Sequence, residues 1–159
     1  MKKEGGNNMM IFEYFQSEEN LSKLLTDCQP IFNEVEMIQE LFRADKIISP
    51  DEYAKYLNVL TGHFMYLDRL SAVAEAYQEI KESEFLLEAK NKPLAEGQKA
   101  PSDETAKAIA KQKSANYIRL ANLLKSYAKI TEKAIITIQS QLNRLSDQLK
   151  YKTPTQETW

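Results

Sequence analysis

Apolar positions recur at steps of three and four along most of this 159-residue chain. That is the period of an amphipathic helix, not the alternation of a strand. Leu21, Leu24, Leu25 and Cys28 form one such face. It follows Ser17-Glu18-Glu19-Asn20, where Ser17 can serve as N-cap and two acids sit near the positive end of the helix dipole. Pro30 either kinks this helix or begins a second one at Ile31, and Ile31, Val35, Ile38, Leu41 and Phe42 recur at the same spacing beyond it. Both versions place short helices over 17–45.

A stronger start signal follows. Ser49-Pro50-Asp51-Glu52 combines an N-cap serine, a proline at the first helical position and a glutamate that completes a capping box. The stripe running from it contains Tyr53, Leu57, Leu60, Phe64, Leu67, Leu70, Ala74, Tyr77 and Ile80 and continues toward Phe85 and Leu86. It predicts a long helix over 50–90, about 60 Å at 1.5 Å per residue. Pro93, Gly97 and Pro101 then break the period and predict a loop over 91–102. Ser102 or Asp103 caps a third helix, over 103–150, with a stripe through Ala106, Ala110, Tyr117, Leu120, Leu124, Tyr127, Ala134, Ile138, Leu142, Leu145 and Leu149. Steps of three and four in alternation suit coiled-coil-like packing.

Two capped helices joined by a short loop fold back on each other because each must bury its stripe. The expected fold is therefore all-α: a long antiparallel helical hairpin with the short N-terminal helices packed at one end. Residues 17–150 are read as one helical domain, residues 1–16 as a flexible N-terminal tail and residues 151–159 as a C-terminal tail.

Composition agrees with a folded helical chain. Hydrophobic residues make up 43 % and charged residues 28 %, and Gly (4) and Pro (5) are scarce. No apolar run reaches the roughly 18 residues of a membrane span, so no membrane partner is expected. Cys28 is the single cysteine, which rules out an intrachain disulfide and fits a cytoplasmic setting.

Charge changes the picture more. Residues 1–89 hold 8 basic against 17 acidic side chains, a balance of −9, whereas residues 90–152 hold 13 against 5, a balance of +8. Lys107, Lys111, Lys125, Lys129 and Lys133 lie close to one face of the third helix, flanked by Lys113 and Arg119. This basic face has two readings. It can pair with Glu75, Glu79, Glu82, Glu84 and Glu88 of the acidic helix, which fixes orientation and partner choice. It can also neutralise nucleic-acid phosphates, with Lys107, Lys111, Arg119, Lys125, Lys129 and Lys133 as the binding residues.

Catalytic chemistry has little to stand on in this sequence. His63 is the only histidine and has no Glu-x-x-His partner or cysteine-rich spacing beside it, so it reads as a partly buried structural residue. Cys28 has no base near it in sequence and reads as a small buried hydrophobe. Gly5-Gly6 lacks the strand, lysine and helix of a phosphate loop. No enzyme, cofactor, metal or small-molecule substrate is expected.

The order of elements resembles that of small helical phage recombination mediators. The likeness is carried by the capped start Asp51-Glu52-Tyr53-Ala54-Lys55-Tyr56-Leu57, the loop, and the lysine-bearing last helix ending near Ile138-Gln139-Ser140-Gln141-Leu142, and it covers residues 50–150. The resemblance implies an oligomeric, single-stranded-DNA-binding accessory that helps load a recombinase, located in host cytoplasm or virion. It assigns no individual binding residue. The leading expectation is a non-enzymatic assembly or interaction protein, phage or mobile-element encoded, that self-associates through the hairpin stripe, with Leu120, Leu124, Ile138 and Leu142 holding the rod together as a core or oligomer stripe, and that binds a protein partner. Nucleic-acid binding through the lysine face is the alternative, and an adaptor role for the loop over 91–101 is a third.

Overall fold

A computed structural model describes residues 9–152. The expected tail residues 1–8 and 153–159, with Gly5-Gly6 and Trp159, lie outside the described residues. The fold is all-α, with no strand among the described residues. A 3₁₀ turn (Ile11–Phe15) precedes helices α1 (Glu18–Arg43), α2 (Pro50–Ala95), α3 (Asp103–Lys113) and α4 (Ala115–Lys152).

The helix starts follow the local chemistry. Ser17 Oγ accepts from the Asn20 amide at 3.2 Å at the head of α1. At the head of α2, Ser49 Oγ accepts from the Glu52 amide at 3.2 Å while the Glu52 carboxylate accepts from the Ser49 amide at 2.9 Å. These two bonds satisfy amides that the first turn leaves unpaired. The same Ser49 donors hold the Glu52 carboxyl below the usual carboxylate range. Ser102, not Asp103, caps α3, accepting from the Thr105 amide at 3.2 Å.

Four boundaries differ from the sequence reading. The first is Pro30, which lies inside α1 without ending it, so the alternative of a second helix beginning at Ile31 falls and the single helix through Pro30 stands. It forfeits one amide bond, and the burial of Cys28, Phe32, Val35 and Ile38 on either side keeps the helix intact. The second is α2, which continues through Pro93 to Ala95 and closes where Gly97, at φ 74, can turn left-handed. There the Gln98 amide donates to Pro93 O at 2.7 Å and the Gly97 amide to Leu94 O at 3.1 Å, a Schellman closure that proline permits because it still offers its carbonyl. The third is the expected helix over 103–150, which divides at Ser114. The Ser114 hydroxyl donates to Ala110 O at 2.8 Å, competing with the backbone for a carbonyl in the manner that bends helices. The fourth is at the two ends of the chain. The expected tail over 9–16 is instead ordered around the 3₁₀ turn, with Tyr14 and Phe15 buried, and residues 151–152 belong to α4.

The chain forms two compact units, and α1, α2 and α4 each lend residues to both. The first comprises residues 9–29 and 68–125 of the described chain. Its buried residues include Phe15, Leu21, Leu24, Cys28, Leu70, Ala74, Ala106, Ala110, Tyr117, Leu120 and Leu124. Phe15 stacks on Tyr77 with ring centroids 5.4 Å apart. Here α2 and the α3–α4 arm run antiparallel: Glu75 pairs with Lys125 at 2.6 Å and Glu88 with Lys113 at 3.2 Å. These pairs step up α2 as they step down the other arm.

The second unit comprises residues 30–67 and 126–152. Val35, Ile38, Tyr53, Leu60 and Ile138 form its core, with Phe42, Leu57, Tyr127, Ile130 and Leu142 among those packed around them. Phe32 stacks on Tyr127 at 4.0 Å and Phe42 on Tyr53 at 6.3 Å.

Candidate functional site

The six basic residues named from the sequence are all exposed, and they divide between the units. In the first, Lys107 and Lys111 stand four residues apart on α3 and face Glu79 and Glu82 of α2 across an open cavity of about 440 Å³, floored by Leu86 and Ala110. Lys125 is held by Glu75 at 2.6 Å. Lys113 is held by Glu88 and lies 5.8 Å from the Phe85 ring centroid. Arg119 lines a groove of about 230 Å³ with Glu18 at its edge and Leu21, Leu25, Leu120 and Leu123 along it. In this unit two of the named carboxylates pair with the basic arm, Glu75 and Glu88, while Glu84 pairs with Lys81 of its own helix and Lys107, Lys111 and Arg119 join no salt bridge among the described residues.

Lys129 and Lys133 belong to the second unit. Lys133 borders a groove of about 310 Å³ with Gln39, Phe42, Ile130, Ala134 and Thr137, a lining without a carboxylate. Among the described residues neither Lys129 nor Lys133 takes part in a salt bridge.

Of the two roles expected for the stripe Leu120, Leu124, Ile138 and Leu142, core or oligomer contact, the chain's own packing uses it as core. Leu124 and Ile138 are fully buried, Leu120 nearly so, and Leu142 is half-buried against the second unit's core. Three residues placed on apolar stripes by their spacing lie outside instead: Leu25 on α1, Ile80 on α2 and Leu149 on α4 are all exposed.

Ile80 belongs to a second apolar row on α2. Ile80, Leu87 and Leu94 are 47 %, 60 % and 58 % exposed and stand seven residues apart on α2, with exposed Ser83, which also lines the cavity beside α3, between the first two. At 100° per residue they lie opposite the buried positions Leu67, Ala74 and Ala89. This part of α2 therefore carries apolar side chains on two opposed faces, one packed and one bare. The signal was present in the sequence as an unbroken seven-residue spacing, masked because Ile80 also fits the core stripe at its next step.

The reactive side chains are engaged elsewhere. His63 Nε2 lies 2.7 Å from Glu34 Oε2, which ties α1 to α2 in the second unit. Burial, with Asp27 adding to it, pushes the Cys28 thiol up to about 11. It stays protonated at neutral pH, the opposite of the depressed value a nucleophilic thiolate needs. Tyr127 donates a hydrogen bond to the Glu36 carboxylate, which pushes the phenol up to about 12. Among the described residues no group of three or more His, Cys, Asp or Glu is gathered to hold a metal. No described helix is long and apolar enough to cross a membrane.

Fold and faces together define an all-α helical protein whose exposed chemistry lies on helix surfaces. No family model, curated protein or solved structure matches the chain.

Proposed function

We propose that this protein is a non-enzymatic helical assembly factor that self-associates, and that it does so through the bare face of α2. The observation that carries this reading is the exposed row Ile80, Leu87 and Leu94. A helix facing water has no need of a seven-residue apolar repeat. A row at this spacing keeps one side of the helix apolar, and exposed aliphatics in a row mark interaction surfaces.

The protein is expected to have a solution mass that is a multiple of 18.3 kDa. Leu87→Glu is expected to reduce it to the monomer, with helical circular dichroism unchanged because the side chain is outside the core. Light scattering coupled to size exclusion makes the measurement. A wild-type monomer at tens of micromolar would sink the self-association reading, and a Leu87→Glu multimer would move it to another face.

The second reading, a nucleic-acid-binding recombination accessory, is favoured by one observation: Lys129 and Lys133 are exposed, one helical turn apart, and outside the salt bridges of the described residues. Anisotropy of a labelled single-stranded oligonucleotide across a salt series checks it. Binding that weakens with salt is expected, and Lys129→Glu with Lys133→Glu should flatten the log–log slope by about 1.4, two phosphates at roughly 0.7 each. An unchanged slope would remove both lysines from the contact.

A further inference from the structure

We infer that the groove between α1 and α4 in the second unit takes one unstacked base of a single-stranded nucleic acid, an inference that rests on the nucleic-acid reading of Lys129 and Lys133 and extends it from the phosphates to the base.

The lining of this groove is mixed. About 310 Å³ in volume, it is walled by Gln39 and Phe42 of α1 and by Ile130, Lys133, Ala134 and Thr137 of α4. Phe42, Ile130 and Ala134 are half-buried, whereas Gln39, Lys133 and Thr137 are exposed. A ring and two aliphatic side chains thus share a short groove with an amide, a hydroxyl and an ammonium. A nucleotide presents the matching set: a flat apolar base, a hydrogen-bonding edge and a phosphate. Phe42 is set in place by stacking on Tyr53, with 6.3 Å between centroids and 20° between planes. The Thr137 hydroxyl donates to the Lys133 carbonyl at 2.9 Å, so its oxygen is left to accept from a base, and the Gln39 amide supplies a donor and an acceptor.

Charge selects an anion. No carboxylate lines the groove. The three that α1 brings to this unit are each engaged: Glu34 lies 2.7 Å from His63 Nε2, Glu36 accepts from Tyr127, and Glu40 holds Arg43 at 2.9 Å. On α4, Glu132 is exposed, but at 100° per residue it lies about 150° round the helix from the middle of the groove-lining positions. Lys129 and Lys133 join no salt bridge among the described residues. They stand about 6 Å apart along the axis, four residues at 1.5 Å each. Two ammonium groups therefore stand beside an apolar groove with no acid placed to neutralise them.

An acidic peptide would satisfy the lysines equally, but a run of carboxylates has no use for the Phe42 ring or for the polar pair Gln39 and Thr137. Every base has a π-face, so a ring can receive it without regard to sequence. A duplex keeps its bases stacked and paired, which withholds those faces from the groove.

Anisotropy of the full chain with labelled oligothymidylate, an abasic strand of the same length and a duplex of the same length tests the inference. Oligothymidylate is expected to bind about tenfold more tightly than the abasic strand, the scale of stacking one base on an aromatic side chain, and more tightly than the duplex. Gln39→Leu combined with Thr137→Leu fills the groove from both walls at exposed positions and leaves both lysines. It is expected to lower oligothymidylate to the abasic affinity with the salt slope unchanged. Phe42→Leu, which removes the ring and keeps the position apolar, should do the same, and circular dichroism checks that both variants fold. Equal wild-type affinity for oligothymidylate and the abasic strand, each weakening with salt, would overturn the base subsite and leave the nucleic-acid reading standing. A base preference that survives in both folded variants would move it to another place. Polyglutamate that displaces oligothymidylate charge for charge would make the groove a site for an acidic peptide instead. No binding to any strand at low salt would remove the nucleic-acid reading and this inference together.

Discussion

Replacing Phe15 by alanine is expected to lower the unfolding free energy by about 3–5 kcal/mol, the range for emptying a buried aromatic site. Phe15 is only 1 % exposed and stacks on Tyr77 at an interplanar angle of 19°. The segment carrying it is held by local bonds as well: the Met10 amide donates to Glu13 Oε2 at 2.8 Å, and Asn20 Nδ2 donates to Glu13 O at 2.8 Å. A cost of this size would take a large part of the 5–15 kcal/mol typical of a domain. Chemical denaturation gives the value directly. Phe12→Ala is the control, since Phe12 is exposed on the same turn and should change stability by less than about 0.5 kcal/mol. Equal, small effects at both positions would mean that residues 9–16 behave as the tail the hydrophobic pattern suggested.

The second large effect is expected at Leu124. Its side chain is 0 % exposed in the first unit, so Leu124→Ala should cost about 2–5 kcal/mol. Leu124→Asp should prevent folding, because a carboxylate at that site has neither water nor a partner. The neighbouring Leu123 is partly exposed along the groove that Arg119 lines, and Leu123→Ala should cost well under half as much. If Leu124→Ala instead left the denaturation midpoint unchanged while lowering the solution mass, Leu124 would lie between copies and not within one. For the same reason, loss of the multimer in Leu124→Asp would say nothing about an interface. Leu87→Glu separates folding from association where Leu124→Asp cannot.

Several features were legible because they depend on neighbours in the chain. The capping box at Ser49 and Glu52 needs only residues three apart. The N-cap at Ser17, the start at Ser102 and the buried stripe through Leu60, Leu67, Leu70 and Ala74 are likewise local in origin. The breaks were less legible. Pro93 is read as an interruption and Pro30 as a kink or a new start, yet each removes a single amide bond; residues buried on both sides of Pro30 carry α1 through it, and only two helical residues follow Pro93. Ser114 gave no sign in advance, because a serine bends a helix only if its hydroxyl turns inward to a carbonyl, and here burial makes it do so.

The candidate surfaces divide along the same line. The opposite charges of the two halves of the chain were plain in the sequence. Whether a given lysine spends its charge on the acidic helix depends on which turn it reaches after α2 and the α3–α4 arm are set side by side. That register gives Lys125 to Glu75 and Lys113 to Glu88, while Lys129 and Lys133 lie in the other unit.

By itself, then, the amino-acid order determined that the chain is helical, where its helices begin and which residues carry charge, because these follow from backbone hydrogen bonding and side-chain chemistry within one or two turns. Only the tertiary structure decided that Phe15 is core, that Leu120, Leu124 and Ile138 are spent inside the chain, and that Ile80, Leu87 and Leu94 are bare. A helix with apolar residues on two faces cannot say from its own sequence which face its neighbours will cover. That choice is made by the summed burial of every helix packed against it.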